Sequence, residues 1–220
     1  MRIYSIFKSI DGEVNHFHQG RISTFIRFAG CNLVNNPCLY CDTKYALKRN
    51  SGKEMNVGQI MEEVIKLKCK NITITGGEPL MQLGGFLELT KALWKDDYKV
   101  SVETNGCYHP YGTNVGCWVI DYKLSNSGVD KNLMMELIQW SKLRECDFVK
   151  FVVSTIQDFN EACKVMQELK EVGCPATFAF SPAHGTLSPH FLLAWLEMIE
   201  VNDIVINLQL HKYLGLVEDQ

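Results

Sequence analysis

Short apolar runs alternate along this chain with longer segments of helical periodicity. Residues 22–29, 71–75 and 148–153 are rich in β-branched and aromatic side chains and predict strands. Residues 56–67 predict a helix, because Asn56 is a capping residue and apolar residues recur behind it at helical spacing. The other predicted strands are residues 99–103, 117–121, 176–180 and 204–208, and the other predicted helices are residues 85–94, 131–143, 158–172 and 189–200.

This alternation constrains the fold more than any other feature. Strands that are apolar along most of their length are buried on both faces, as in a parallel sheet covered by helices. About seven strands and five helices are too few for a closed eight-fold barrel. We therefore predict an α/β fold, a partial (incomplete) β/α barrel, with a doubly wound sheet as the alternative. No linker or repeat interrupts residues 1–220, which predicts a single domain.

Charge and cysteine content narrow the classes of function. The net charge of -3 gives no case for binding nucleic acid or an anionic membrane surface. No stretch approaches the roughly 18 apolar residues of a membrane span, and the first residues lack the pattern of a signal peptide. Nine cysteines, an odd number, argue against a complete disulfide framework. These observations predict a protein of the reducing cytoplasm.

Three of the cysteines lie on one short stretch that we call the cysteine loop, residues 31–43. Cys31, Cys38 and Cys41 are separated by six and then two residues. Three thiolates can hold three corners of an iron–sulfur cluster and leave one iron open to another ligand. Short cysteine spacings also serve zinc, which would take a fourth ligand from elsewhere in the chain. Spacing alone leaves both metals open.

Polar residues follow several of the predicted strands. They include Cys31, the Gly76-Gly77-Glu78 stretch, Glu103 to Asn105, Asp121 to Lys123, and Ser181 to His184. In barrels and open sheets, functional residues gather at the carboxyl ends of the strands. A single polar strand end is usually a turn or a cap. Several of them together predict one shared site.

Two of these motifs resemble the radical S-adenosylmethionine (SAM) superfamily. Cys38-Leu39-Tyr40-Cys41 matches the end of its three-cysteine signature, and Gly76-Gly77-Glu78-Pro79 matches its second motif. The resemblance implies a [4Fe-4S] cluster whose open iron is chelated by SAM. It also implies reductive cleavage of SAM to methionine and a 5′-deoxyadenosyl radical.

A longer set of motifs resembles the 7-carboxy-7-deazaguanine synthase family. That family converts 6-carboxy-5,6,7,8-tetrahydropterin to 7-carboxy-7-deazaguanine with loss of ammonia, in the biosynthesis of queuosine and other 7-deazapurines. Two departures stand out: Asp11 replaces a usual glutamine, and the first cysteine gap is six residues instead of three. The matching blocks are residues 7–13, 24–32, 40–43, 75–80, 102–106 and 209–215.

The resemblance implies the metal ligands. Cys31, Cys38 and Cys41 would hold the cluster, and the hydroxyl of Thr43 would bind Mg²⁺. Magnesium commonly keeps several waters and takes oxygens from its substrate, so a single protein ligand is chemically reasonable. The alternative is that Thr43 only caps the next segment.

A second implied set would bind SAM. The ring or backbone of Tyr40 would meet the adenine, unless it is a packed loop aromatic. Glu103 would bind the ribose or amino group of SAM, unless it is a solvated strand-end carboxylate. The full set is Tyr40, Asp42, Gly76, Gly77, Glu78, Glu103, Asp121, Tyr122, Lys123, Ser181, Pro182, Ala183 and His184.

A third set would bind the pterin. Arg27 lies inside an apolar strand, and a buried arginine requires an anion or several acceptors. The carboxylate of the substrate would suit its planar fork, and the alternative is an internal salt bridge. Gln209 and His211 would cover the pterin, or they are ordinary polar residues near the C-terminal tail. The full set is Ile10, Asp11, Gly12, Glu13, Arg27, Thr75, Gln209 and His211.

The resemblance further implies a flavodoxin-type electron donor, catalytic use of SAM, and a homodimer. Two rival functions remain open at this stage. A glycyl-radical-enzyme activating enzyme would use the same cluster and SAM on a protein partner. A zinc-stabilised binding module would hold zinc and have no affinity for SAM.

Overall fold

The computed structural model describes residues 1–200 and 203–216. Within them the strands form one sheet in the order β3-β1-β2-β4-β5-β6-β7-β8-β9. The strands are β1 Arg2–Ile10, β2 Ile22–Phe28, β3 Lys53–Glu54, β4 Asn71–Gly76, β5 Lys99–Thr104, β6 Cys117–Tyr122, β7 Phe148–Val153, β8 Thr177–Pro182 and β9 Ile204–Ile206.

Short and medium helices connect the strands. None of the helices in the described ranges is long and apolar enough to cross a membrane. The helices are α1 Val57–Lys66, α2 Leu83–Lys95, α3 Leu137–Trp140, α4 Ile156–Glu171, α5 Pro189–Glu197 and α6 Leu210–Tyr213.

The predicted parallel sheet is confirmed. From β2 to β9 all neighbouring strands pair in parallel, and these are the seven strands expected from the sequence. The sheet has two open edges, at β3 and β9, so it is a partial barrel. The sequence analysis missed β1 and β3, which extend the sheet in antiparallel fashion beyond β2. Polar residues interrupt β1, and most of its side chains are only half-buried.

The predicted helix over residues 131–143 is wrong. The chain instead forms a single 3₁₀ turn at Lys131–Leu133 and the four-residue helix α3. Two local caps, at Asp130 and Glu136, start these separate turns. Between them the backbone N–H of Met135 donates to the carbonyl of Gly106 (3.0 Å). A continuous helix would have used that N–H internally, so the tertiary bond replaces helical structure.

The two faces of the sheet differ in polarity because alternate strand residues point to opposite sides. The helix-covered face is apolar and includes Ile26, Ile74 and Phe151, all with no exposed surface. On the other, concave face, the Ser23 hydroxyl lies 2.9 Å from that of Thr73, which lies 3.3 Å from that of Ser101. The sequence thus forms a conventional apolar core on one side of the sheet and a polar interior on the other.

The loop between β1 and β2, which we call the floor segment (residues 11–20), closes the bottom of this concave face. Val14 packs against the inner side chains of Cys117, Val119 and Ala179. The backbone N–H of Val14 donates to Asn207 Oδ1 (3.0 Å). The floor segment therefore seals the sheet from below and leaves a cavity above it.

Candidate active site

A cavity of about 290 Å³ lies above the floor segment, on the concave face. Side chains reach it from β1, β2 and β4 to β7, as well as from the cysteine loop and α6. Many of the residues singled out in the sequence line it. They are Ile10, Gly12, Glu13, Arg27, Cys31, Cys38, Tyr40, Cys41, Asp42, Thr43, Thr75, Gly76, Gly77, Glu103, Asp121, Lys123, Ala183, His184, Gln209 and His211.

Five predicted site residues lie outside the lining: Asp11, Glu78, Tyr122, Ser181 and Pro182. The ring of Tyr122 points to the helix-covered face and packs against those of Trp140 and Phe151, with centroids 5.4 and 5.8 Å away. The Ser181 hydroxyl donates to the carbonyl of Asn207 (2.9 Å). Strand alternation explains this placement, because Tyr122 and the inward-facing Asp121 are adjacent residues.

The cysteine loop forms one rim of the cavity. Backbone hydrogen bonds fix it on two sides, from the N–H of Cys31 to the carbonyl of Leu47 (2.9 Å) and from the N–H of Leu39 to that of Ser127 (3.0 Å). The thiols of Cys31, Cys38 and Cys41 are free. Burial raises the pKa of Cys31 to about 11 and also raises that of Cys38. Cys31 and Cys38 therefore favour the protonated thiol in the absence of a metal.

Gly76 and Gly77 place the end of β4 against this loop. A Cβ on Gly76 would overlap the backbone of Phe28, and one on Gly77 would overlap that of Gly30. Gly76 also has a φ of +134°, which is strained for any residue with a side chain. The resemblance of the sequence places both glycines among the SAM-binding residues. The structure shows that contacts within the protein already require them.

The carboxylate of Glu78 joins the ends of β4 and β5. It accepts hydrogen bonds from the backbone N–H groups of Leu80 (3.0 Å) and Asn105 (2.8 Å) and from the Thr104 hydroxyl (2.9 Å). Burial raises the pKa of Glu78, and these donors oppose that effect. Sequence reasoning grouped Glu78 with the SAM-binding residues. Here its carboxylate has protein partners and positions the strand ends.

A chain of buried charges runs through the cavity wall. The ammonium of Lys150 lies 2.9 Å from Glu13 and 3.2 Å from Asp121, and that of Lys123 lies 2.7 Å from Asp121. Burial alone would raise the pKa of Asp121, but Lys123 and Lys150 outweigh burial, and the pKa lies below its usual value. Burial alone would lower the pKa of Lys150, but Asp121 and Glu13 outweigh burial, and the pKa lies above its usual value. The carboxylates of Glu13 and Asp121 and the ammonium groups of Lys123 and Lys150 are therefore all charged.

Sequence reasoning missed Lys150. The signal that could have found it is the one used for Arg27, a cation between apolar neighbours of a predicted strand. Lys150 stands between Val149 and Phe151 in β7. The same alternation that buries those two against the helices turns Lys150 into the cavity.

Glu103 lies between Thr75 and the charged chain. Its carboxylate accepts a hydrogen bond from the Thr75 hydroxyl (2.6 Å). Burial, followed by repulsion from Glu13, raises the pKa of Glu103 to about 7. This carboxyl group is therefore poised to change protonation state near neutral pH.

The guanidinium of Arg27 has a different environment. It is buried between the rings of Phe7 and Tyr45, whose centroids are 5.8 and 5.7 Å away. Within residues 1–200 and 203–216, Arg27 forms no ion pair, and its Nε has no hydrogen-bond partner. The internal salt bridge considered from the sequence is therefore not formed with any described carboxylate. A buried cation facing a cavity in this way suits an anionic ligand.

Comparison with known proteins shows which family this chain belongs to. Residues 25–111 match the model of the radical SAM superfamily. The 7-carboxy-7-deazaguanine synthase of Clostridium acetobutylicum is 33% identical over 97% of this chain and 95% of the relative. The chain belongs to the 7-carboxy-7-deazaguanine synthase family. The enzyme of that name from Methanospirillum hungatei is 35% identical over 98% of this chain and 86% of the relative.

A solved structure supports the fold of this family member. The crystal structure of QueE from Escherichia coli is similar to this one with a TM-score of 0.69. The match covers 94% of this chain and 92% of that chain, at 20% identity. The prediction of a partial β/α barrel of the radical SAM type is confirmed.

The donors on the rim fit the [4Fe-4S] cluster of the radical SAM superfamily. A cubane takes each thiolate on a different iron, so its cysteines surround a volume instead of converging on one point. Among the described residues, no three His, Cys, Asp or Glu side chains are grouped closely enough to hold one metal ion. Membership of the family, which belongs to the radical SAM superfamily, implies the cluster and SAM as cofactors.

A buried polar atom beside the rim fits a polar ligand. The hydroxyl of Tyr40 has no hydrogen-bond partner in the described part of the chain, whereas the carboxylate of Asp121 is paired with Lys123 and Lys150. Buried polar atoms normally have partners. A polar atom of SAM would supply the partner that Tyr40 lacks.

The side chain of Thr43 faces the cavity and does not cap the 3₁₀ turn Lys44–Ala46 that follows it. Its hydroxyl lies 3.3 Å from Asp42 Oδ1, and the other oxygen of Asp42 pairs with Lys212 (2.6 Å). A hydroxyl beside a carboxylate is a suitable oxygen ligand for Mg²⁺. The alternative role of Thr43 as a helix cap has no support in these contacts.

Proposed function

We propose that this protein converts 6-carboxy-5,6,7,8-tetrahydropterin to 7-carboxy-7-deazaguanine with loss of ammonia, as a radical SAM enzyme of queuosine or other 7-deazapurine biosynthesis. Its family membership supports the reaction class. The single structural observation that carries the substrate is Arg27, a buried guanidinium above the floor segment with no carboxylate partner among the described residues. A planar carboxylate would pair with two of its N–H donors.

When bound and reduced, the cluster and SAM supply the radical that takes a hydrogen atom from the pterin. The residues of the chain bind and orient. Arg27 would hold the substrate carboxylate, and Thr75 with Glu103 would offer a hydroxyl and a carboxyl group to the ring. The floor segment excludes water from below. Fixed geometry of this kind supplies much of the rate enhancement in enzymes whose cofactor performs the chemistry.

Several further parts of the proposal rest on the resemblance of the sequence. Thr43 would hold Mg²⁺ against the substrate carboxylate, and its inward hydroxyl supports this. A flavodoxin-type protein would reduce the cluster, and the enzyme would act in the cytoplasm as a homodimer. The Cys31–Cys38–Cys41 rim would hold the cluster, and the cavity residues around Tyr40 and Asp121 would bind SAM. The tail predicted after the 209–215 motif lies, from residue 217 on, outside the described residues.

The proposal is tested by anaerobic reconstitution of the protein, followed by incubation with SAM, dithionite, Mg²⁺ and the pterin. We expect mass spectrometry to detect 7-carboxy-7-deazaguanine. Cys38→Ala should abolish the product, whereas Cys163→Ala, a matched change outside the cavity, should not. Cleavage of SAM without product would overturn the substrate and favour an activating enzyme. A zinc-containing protein with no affinity for SAM would overturn the whole assignment.

A further inference from the structure

Lys150 occupies the centre of the buried charged chain. Its ammonium contacts Glu13, which belongs to the floor segment, and Asp121, at the carboxyl end of β6. The exposed fraction of its side chain is 9%. A cation at this depth is stable only if it is paired, and Lys150 is paired with carboxylates from two separate parts of the chain.

On the floor side, both oxygens of the Glu13 carboxylate accept from protein donors. One oxygen accepts from Lys150 (2.9 Å) and from the amide of Asn207, and the other accepts from the amide of Gln209 (2.7 Å). Glu13 therefore fastens the floor segment to the residues between β9 and α6. It thereby also fixes the position of its neighbours Ile10 and Gly12 in the lining.

On the wall side, the chain of contacts continues to the cysteine loop. Asp121 pairs with Lys123 (2.7 Å), whose ammonium lies 5.4 Å from the centroid of the Tyr40 ring. Tyr40 stands between Cys38 and Cys41. Lys150 is thus the link between the segment expected to hold the pterin and the wall expected to hold SAM.

We propose that Lys150 is a positioning residue that fixes the floor segment relative to the SAM-side wall, so that SAM cleavage leads to reaction of the pterin. The proposal rests on the proposed function. It assigns to one side chain the coupling between the part of the cavity that would bind the pterin and the part that would bind SAM. Hydrogen transfer between two bound molecules depends on their separation to a fraction of an ångström. A wall and a floor that are held by the same ammonium keep that separation constant.

The charges around Lys150 explain why no neighbour can replace it. Glu13 faces it from the floor segment, Glu103 from β5, and Asp121 from β6; Lys123, just after β6, pairs with Asp121. Asp11 adds a further acidic group below. Without Lys150, Glu13 would face Glu103 and Asp121 with no cation of its own. Repulsion between these carboxylates would move the floor segment away from the wall.

The test measures 5′-deoxyadenosine and 7-carboxy-7-deazaguanine in the same reactions of the cluster-loaded enzyme. We expect Lys150→Met to raise the amount of 5′-deoxyadenosine formed per product by about tenfold or more, as a misplaced substrate would. Lys150→Arg should restore a ratio near that of the wild type, because it keeps the cation. Lys164→Met, at an exposed lysine of α4, is the matched control.

Binding measurements do not depend on turnover. Calorimetry should show weaker pterin binding in Lys150→Met, with SAM binding changed less. Where Lys150→Met does not fold, the double variant Glu13→Gln/Lys150→Met replaces it, because removing both partners of a buried pair is tolerated better than removing one. The double variant should still form excess 5′-deoxyadenosine.

The outcomes separate the two proposals. A wild-type enzyme that forms no product overturns the proposed function and the role of Lys150 together. A wild-type enzyme that forms product, with an unchanged ratio in Lys150→Met and in the double variant, overturns only the role of Lys150. A loss of both products in equal proportion, not rescued by Lys150→Arg, also overturns it, because a purely structural lysine would behave in that way.

Discussion

Two cations enter the cavity from strands that are well separated in the sheet, Arg27 on β2 and Lys150 on β7. Each stands between apolar neighbours of a parallel strand and is turned inward by alternation. Their partners differ. Lys150 is held between two carboxylates, while Arg27 lies between two aromatic rings with its Nε unpartnered in the described ranges.

The difference shows that one buried cation of the cavity maintains its structure, whereas the other is available to bind a ligand. A cation whose charge is already compensated by the protein stabilises the site and cannot attract another anion strongly. A cation without a protein anion is costly to bury and is ready for a ligand that brings one. The β7 side is therefore built to hold its shape, and the β2 side is built to bind.

The largest expected effect is on the stability of the ligand-free protein. Lys150→Met leaves buried carboxylates without their cation and should lower the free energy of unfolding by about 3 kcal/mol. Arg27→Met strands no described carboxylate and should cost less than about 1.5 kcal/mol. Urea unfolding of both variants measures the contrast. Equal losses in the two variants would remove the distinction between the two sides.

The next effect concerns binding. Arg27→Lys keeps the charge but loses the planar fork, and it should weaken binding of the carboxylated pterin by about tenfold to a hundredfold. Binding of a tetrahydropterin without the carboxylate should be nearly unchanged. Calorimetry with both pterins, on the wild type and on Arg27→Lys, measures how much of the binding free energy depends on the pairing of Arg27 with the carboxylate. A similar loss for both pterins would show that Arg27 does not recognise the carboxylate.

The smallest effect sharpens the same contrast within the floor segment, where Asp11 and Glu13 are two residues apart. Glu13 has Lys150, whereas the side chain of Asp11 accepts, among the described residues, from the Thr73 hydroxyl (2.7 Å) and the N–H of Glu13 (3.4 Å). Burial raises the pKa of Asp11 from 3.8 to about 6, despite these hydrogen bonds and a nearby His211. Folded Asp11 therefore keeps its proton up to a higher pH than the unfolded chain does.

A raised carboxyl pKa makes stability fall with increasing pH. Between 3.8 and about 6 the folded state keeps a proton on Asp11 that the unfolded chain has lost, so the free energy of unfolding decreases over that range and stays lower above it. Asp11→Asn should be more stable than the wild type at pH 8 by on the order of 1 kcal/mol. The gain should vanish near pH 4. An equal gain at pH 4 and at pH 8 would show that the gain does not come from the titration of Asp11.

Local pattern determined the parallel sheet of this protein and the positions of its cysteine and glycine motifs. Seven strands were predictable because each carries its own apolar, β-branched run, and strand-end polar residues then fall at one edge of the sheet. The helix predicted over residues 131–143 failed because a tertiary bond from Met135 to Gly106 outweighed local propensity. Strand β1 was missed because its interrupted pattern becomes a strand only beside β2.

Which charged residues face each other depends on the tertiary structure. Nothing in the spacing of Glu13, Asp121 and Lys150 predicts that they meet, since they lie on a loop and two strands far apart in sequence. The sequence likewise placed Glu78 and Tyr122 in the site. The fold assigned Glu78 to the strand ends and Tyr122 to the core, because backbone donors and strand alternation oriented their side chains. Motifs are local and can be recognised in the sequence, whereas the pairing of buried charges depends on distances that exist only after folding.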